Sequence, residues 1–168
     1  NLNRIMAEKG RIKHDASVLD LGCGNGTTAI WLSKAQGCRV TGVDLSGVRV
    51  DNAKADRLRQ DSILQDRLVF EKASATELPF RDGAFTHVWS QAVIYHVHDK
   101  IAALKEAYRV LGDGGIMVFD DLIKPQPNIS ADAQEYVYKR LLYDTDFSFE
   151  SYQDVLRGQG FKILEAHN

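Results

Sequence analysis

The chain has 168 residues, 44% hydrophobic and 26% charged, which is enough for one sizeable core and too little for two ordinary domains. Its 21 Lys and Arg against 23 Asp and Glu leave a formal charge of −2, without the basic excess that a phosphate-tracking protein carries, so nucleic acid is not an expected partner. No apolar run reaches the length of a membrane span, and Asn1 to Gly10 lacks the apolar core of a signal peptide.

In chain order, Ile5 to Glu8 predicts a short helix against a sheet. Val18, Leu19 and Leu21 suit a strand over 17–21 buried on both faces, and Gly22, Gly24 and Gly26 then supply a tight turn with no side chains blocking the backbone. A helix over 26–36 carries Ala29, Ile30 and Leu32. The next strand, 39–43, ends at Asp44, 22 residues after Gly22, where a carboxylate can accept from both hydroxyls of a ribose. A helix over 47–59 has only the weak stripe Val48, Ala55 and Leu58. Its Lys54, Arg57 and Arg59 alternate with Asp51, Asp56 and Asp61, a mixed solvated face.

Leu68 to Glu71 predicts a third strand, Asp82-Gly83 a turn, and Phe85 to Trp89 a fourth strand. Ile101, Leu104, Tyr108 and Leu111 recur at spacings of three and four, the cleanest helical pattern in the chain. Gly114-Gly115 releases a fifth strand, Ile116 to Phe119, bounded by Asp120-Asp121. Lys124-Pro-Gln-Pro127 then reads as a linker and Ala131 to Tyr143 as a helix bearing Tyr136, Tyr138 and Tyr143. Together 121–149 predicts a lid or substrate insertion over the end of the cleft. Ser148 is placed to cap a helix over 149–158, and Phe161 to Ala166 predicts a sixth strand. The alternation describes one domain, 1–168, with a nucleoside-sized site at the carboxyl end of a parallel sheet. Cys23 and Cys38 make neither a disulfide framework nor a zinc site. Each reads as a small buried residue, and a reducing, cytoplasmic setting is expected.

The nicotinamide fingerprint Gly-x-Gly-x-x-Gly requires a glycine where this chain has Thr27, and no Gly-Lys-Ser or Gly-Lys-Thr marks a Walker loop. Instead Val18-Leu-Asp-Leu-Gly-Cys-Gly-Asn-Gly26 followed by Val40-Thr-Gly-Val-Asp-Leu-Ser46 closely resembles the first two motifs of class I S-adenosylmethionine-dependent methyltransferases. The resemblance continues through Ala75 to Phe80, Ala84 to Ser90, Tyr95-His-Val97, and Glu106 to Leu111 with Gly114-Gly115. It implies a three-layer, Rossmann-like α/β fold with a mostly parallel sheet. It also implies S-adenosylmethionine as cofactor, held by Asp20, Gly22, Cys23, Gly24, Asn25, Gly26, Thr27, Asp44, Leu45, Ser74, Ala75 and Gln91. Asp44 takes the ribose, Ala75 presents backbone near the adenine, and Gln91 lies near the methionine end.

Two positions depart from the pattern. Ser74 stands where the family often has an acidic residue accepting from the adenine amino group, and its hydroxyl can accept that bond only without charge assistance. Leu111-Gly-Asp-Gly-Gly115 lacks the usual proline. The family also ends with a seventh, antiparallel strand beside the sixth, yet only His167 and Asn168 follow the predicted sixth strand. A chain truncated at both ends, or a six-stranded variant, would account for this.

A sulfonium carries its methyl already activated, so the chemistry needs alignment and water exclusion rather than a covalent nucleophile or a metal. Gln91 and His96 are the catalytic candidates, and Tyr95, His96, Asp120 and Tyr136 the acceptor contacts. His96, with an unperturbed pKa near neutrality, either takes a proton or braces its loop. Asp120 and Asp121 either bind an ammonium group or cap the next segment. The tyrosines either wall a methylated ammonium or pack. His96, His98 and Asp99 do not space a convincing metal site. The stretch Trp89-Ser-Gln91 and its loop are similar to those of the sarcosine and dimethylglycine N-methyltransferases, which implies a small amine acceptor. The alternatives are O- or C-methylation of a metabolite or lipid, and a noncatalytic binding domain.

Overall fold

The structure is a computed structural model that describes residues 1–123, 130–133, 135–136 and 147–168. The described strands form one parallel sheet in the order β3-β2-β1-β4-β5: β1 Ser17–Leu21, β2 Arg39–Asp44, β3 Leu68–Lys72, β4 Phe85–Gln91 and β5 Leu111–Asp120. Among the described residues seven α-helical elements accompany them: α1 Leu2–Lys9, α2 Thr27–Gln36, α3 Gly47–Leu58, α4 Ser62–Arg67, α5 Lys100–Val110, the single turn α6 Ala131–Ala133, and α7 Phe149–Gly158. The chain winds outward from β1 through β2 and β3, then returns to the other side of β1 with β4 and β5. That reversal opens a crevice at the carboxyl ends of β1 and β4.

Parallel strands covered on both faces need apolar side chains pointing both ways, and β1 supplies them. Val18 joins Val40, Phe70 and Trp89 on the face covered by Met6 and Ala7 of α1, Ala29 and Leu32 of α2, and Val50 and Ala53 of α3. Leu19 and Leu21 join Val43 and Val88 on the opposite face, under Ala107 and Val110 of α5. Full burial of each such side chain is worth about 1.5–3 kcal/mol. A third cluster, Ile94, Leu104, Tyr152 and Leu156, seats α7 against α5 and the carboxyl half of β5.

Several expectations are corrected. Phe161 to Asn168 forms no strand, because a strand exists only where a neighbour accepts its ladder. Phe161 and Ile163 pack against the third cluster as irregular chain instead. The α5 pattern is displaced by one position: Lys100, Ala103, Leu104, Ala107 and Val110 are buried, while Ile101 and Tyr108 are about half exposed. Leu111 opens β5 rather than closing the helix, and the glycines that follow it lie in a bulge between Phe85 and His87 of the partner strand. In α3, Val50 and Ala53 face the core, whereas Val48 and Leu58 lie in solvent. The helix α4, capped by Asp61, and the 3-10 turn Ile94–His96 were not expected. The linker at 124–127 and most of the lid helix, Tyr138 and Tyr143 included, lie outside the described residues. Ser148 caps α7 as expected, in a reciprocal box with Ser151.

Candidate active site

The strand register brings the carboxyl ends of the sheet to one edge: Leu21 lies beside Val43 and Ser90, and Gln91 beside Asp120. After β1 the chain turns sharply, with Gly22 N–H and Cys23 N–H both donating to the Val43 carbonyl at 2.8 and 2.9 Å. The three glycines differ in role. A Cβ at Gly22 would meet the Val93 methyls at 2.4 Å, and one at Gly26 would meet Phe70 Cζ at 2.8 Å and Ala53 Cβ at 2.9 Å. At Gly24, φ +55°, it would meet nothing within 4 Å. Contrary to the expectation that all three leave bare backbone, Gly22 and Gly26 admit the protein's own side chains, and only Gly24 opens to a ligand.

Asp44 organises this opening. Gly24 N–H donates to its Oδ2 at 2.9 Å and Ser46 N–H to its Oδ1 at 2.8 Å, so the carboxylate clamps the turn and keeps lone pairs for a further donor. Asn25 is tied to Asn52 of α3 at 3.2 Å, Thr27 opens α2, and Leu45 stands 71% exposed beside Asp44. On the next strand connection the Ser74 hydroxyl is shared with Thr76, lying 2.8 Å from its Oγ1 and accepting its N–H at 3.2 Å. Ala75 packs against Leu78 and its neighbours.

Beneath the turn lies Asp20, fully buried. Burial first, and the charge of Asp44 second, push its carboxyl up to about 7. The Cys23 thiol is pushed up by burial and then by Asp20 and Asp44, which leaves it an unreactive small side chain. Four buried polar atoms among the described residues have no hydrogen-bond partner: Asp20 Oδ2, Trp89 Nε1, Ser90 Oγ and Asp120 Oδ1. All four belong to the carboxyl-terminal ends of three adjacent strands, β1, β4 and β5. Unmatched buried polar groups are costly and rare; register and alternation put Asp20, Trp89 and Asp120 on one face of the sheet and Ser90 on the other, and the two carboxyl oxygens on the shared face fit a place completed by a ligand. Two carboxylates beside an open glycine suit a ligand with positive charge, such as a sulfonium and an α-ammonium.

The residues at and beyond the end of β4 are more heavily tied than the sequence suggested. Gln91 Nε2 donates to Asn3 Oδ1 of α1 at 2.9 Å, and its Oε1 accepts from Thr28 at 3.4 Å, so this amide seats the amino-terminal helix over the crevice. The Tyr95 and His96 rings lie 3.9 Å apart. His96 is not poised at neutrality: partial desolvation, then the charges of Arg49 and Lys100, hold its pKa below 6.5. Asp121 is tied to the protein, accepting from Tyr95 N–H at 3.1 Å and from the Tyr152 hydroxyl at 2.9 Å. Burial raises it to about 6 against the lowering effect of these bonds. Burial raises Asp120 as well, against the lowering effect of its own backbone N–H. Tyr136 is 66% exposed and His98 is also at the surface. Asn3, Thr28 and Tyr152 escaped the sequence reading, since each acts through a contact at least 31 residues distant. Among the described residues no group of three or more His, Cys, Asp or Glu is placed to hold a metal ion.

A family model described as a methyltransferase domain matches residues 19–119, the segment that builds this crevice. The chain belongs to the methyltransferase domain family. The cofactor of the domain is S-adenosylmethionine. The domain is 35% identical over 153 residues to the 27-O-demethylrifamycin SV methyltransferase of Amycolatopsis mediterranei, covering 90% of this chain and 56% of the relative. It is 29% identical over 167 residues to the sarcosine/dimethylglycine N-methyltransferase of Halorhodospira halochloris, covering 97% and 57%. A solved Haemonchus contortus phosphoethanolamine N-methyltransferase 2, in complex with phosphomonomethylethanolamine and S-adenosylhomocysteine, is 25% identical and superposes with a TM-score of 0.86 over 96% of this chain and 37% of that one. The methyltransferase domain thus spans a little over half the length of the curated relatives it matches. Among the described residues no helix is long and apolar enough to cross a membrane.

Proposed function

We propose that this domain transfers the methyl group of S-adenosylmethionine to the nitrogen of a small polar acceptor, an N-methyl amino acid or related amine. The observation that carries this reading is the pair of unmatched buried carboxyl oxygens at the ends of β1 and β5, Asp20 Oδ2 and Asp120 Oδ1, on one face of the sheet. Asp44 holds the ribose and Gly24 lies beneath the methionine portion. Asp20 supplies negative charge to the cationic donor, and Ser74 with Ala75 borders the adenine. When bound, the donor supplies an electrophilic methyl whose leaving group is a neutral thioether.

The domain's own residues then supply alignment. Asp120 Oδ1, buried without a partner, receives an N–H of a neutral primary or secondary acceptor amine and turns the nitrogen lone pair toward the donor. His96, held neutral at pH 7 by its depressed pKa, takes the proton the nitrogen sheds. Tyr95 and Tyr136 border the acceptor. Gln91 acts by keeping α1 seated, which excludes water from the crevice.

A second reading, methylation of a hydroxyl on an apolar acceptor, is favoured by Leu45 and Val48, 71% and 73% exposed in the segment that follows Asp44, and by the relative named as the methyltransferase of 27-O-demethylrifamycin SV. S-adenosylhomocysteine release measured with sarcosine and a panel of apolar alcohols separates the readings. Turnover of amines abolished by Asp120→Asn supports the first. Turnover of alcohols alone overturns it in favour of the second. Tight S-adenosylhomocysteine binding with no turnover of either class leaves a noncatalytic binding domain.

A further inference from the structure

The ion pair of Glu106 and Arg109 on α5 lies outside the crevice, yet it spends itself on the segment that borders the proposed adenine site. Leu78 to Asp82 follows Ser74 and Ala75 and precedes β4, and its backbone has no strand to pair with. Glu106 Oε2 accepts from Leu78 N–H at 2.7 Å. Arg109 Nη1 donates to the Phe80 carbonyl at 2.7 Å and to Asp82 Oδ1 at 2.8 Å, and Nη2 donates to the Leu78 carbonyl at 3.1 Å. The remaining bonds of the fork go to Glu106, from Nε at 2.6 Å and from Nη2 at 2.7 Å. These are five bonds, and a guanidinium has five N–H donors, so the fork is fully used.

Such completeness is more than an α5 surface pair needs. An exposed pair three residues apart on a helix contributes little, whereas here two side chains satisfy the Leu78 amide and two loop carbonyls. The Glu106 carboxyl is held below its usual range, chiefly by its hydrogen bonds to Arg109, so it stays an acceptor for Leu78 throughout the neutral range. Leu78 is 5% exposed and packs with Ala73, Ala75 and Phe80 in one cluster, so fixing Leu78 also fixes the two alanines that flank Ser74. Upstream, Ser74 and Glu77 form an isolated bridge that closes the turn on itself. The turn is therefore a small rigid body, and its position relative to β2 and the glycine turn is set from α5.

We infer that Arg109 and Glu106 are positioning residues for adenine recognition: they set the height of the Ser74–Ala75 backbone against the cofactor's base without touching it. This rests on the assignment of Ser74 and Ala75 to the adenine. Because Ser74 brings no charge to that contact, discrimination for the base depends on placement more than on a strong single bond.

The test is Arg109→Lys, which keeps the charge and the pairing with Glu106 but cannot span both carbonyls. Calorimetry compares S-adenosylhomocysteine with S-inosylhomocysteine, which differs only at the base edge. The wild-type domain should prefer the adenosyl compound, and the lysine variant should lose on the order of tenfold in adenosyl affinity while keeping inosyl affinity, so that the preference collapses. An equal loss for both ligands would mean a general structural role and overturn the inference, as would an unchanged preference. A wild-type domain that binds both ligands equally overturns the adenine assignment itself, and the inference with it. If Arg109→Lys does not fold, Glu106→Gln, which keeps an acceptor for Leu78 but weakens the grip on Arg109, is measured in the same way. Collapse of the preference in that variant supports the positioning role, and an equal loss or an unchanged ratio overturns it.

Discussion

Replacing Asp20 by asparagine removes a buried acid while keeping its size, and the effect has a calculable dependence on pH. In the folded domain burial, reinforced by Asp44, raises this carboxyl from 3.8 to about 7. A carboxyl with a raised native pKa holds its proton more tightly folded than unfolded. Its favourable contribution is therefore complete below the unfolded value and disappears as pH rises to the folded one. At about 1.4 kcal/mol per unit, the roughly two units from pH 5 to pH 7 cost the wild-type domain on the order of 3 kcal/mol that the asparagine variant does not lose. Urea midpoints of both proteins without added donor, at about pH 5 and about pH 8, read this difference directly. At the higher pH Asp20→Asn should be the more stable protein by a margin larger than at the lower pH. Adding S-adenosylmethionine at the higher pH should narrow the margin, because the donor's positive charge is worth more to the ionised wild-type site. A gap that is the same at both pH values would refute the reasoning, since it would mean that Asp20 titrates alike folded and unfolded.

Gly22→Ala should cost several kcal/mol of stability, since its Cβ would meet Val93 at 2.4 Å. Gly24→Ala should cost only about 1–2 kcal/mol for its left-handed backbone, yet weaken S-adenosylhomocysteine binding at least tenfold; paired melting and calorimetry check both. Tyr152→Phe strips Asp121 of a buried donor and should destabilise by about 1–3 kcal/mol. That loss should be larger above pH 6 than below it, because the bond holds down a carboxyl already raised to about 6, and denaturation at two pH values would reveal it. For His96 the acid limb of the turnover profile should lie below 6.5, and Arg49→Ala should move it upward by removing a repelling charge. A limb unmoved in that variant would remove Arg49 from the account.

The sheet was legible because burial on both faces forces apolar runs, and Val18 to Leu21 and Arg39 to Val43 could be little else. The glycine turn and Asp44 were legible together because their spacing expresses one strand, one helix and one more strand. The helix faces were less so. In α5 the small residues Ala103 and Ala107 form the buried stripe, and periodicity counted on large side chains selected Ile101 and Tyr108 instead. The sixth strand was illegible for a different reason: Phe161 to Ala166 has the composition of a strand, but composition does not provide a neighbour. At the site, residue types were readable and commitments were not. Nothing local says that Asp121 is held by Tyr95 and Tyr152, that the Gln91 amide reaches Asn3, or that Val93 fills the space over Gly22. Each of these is a meeting of distant segments, and each decides which chemically capable group remains at liberty.

The grip of Gln91 on Asn3 has a practical corollary. A β4 side chain at the heart of the crevice is anchored in the first turn of the first helix, and the His87 ring makes a second attachment to the Gly10 carbonyl at its far end. Whatever tugs on the polypeptide ahead of Leu2, be it a purification tag, a fusion partner or a crystal neighbour, pulls directly on the wall of the crevice. Catalytic comparisons between preparations with different leading residues would then measure the leash as much as the enzyme.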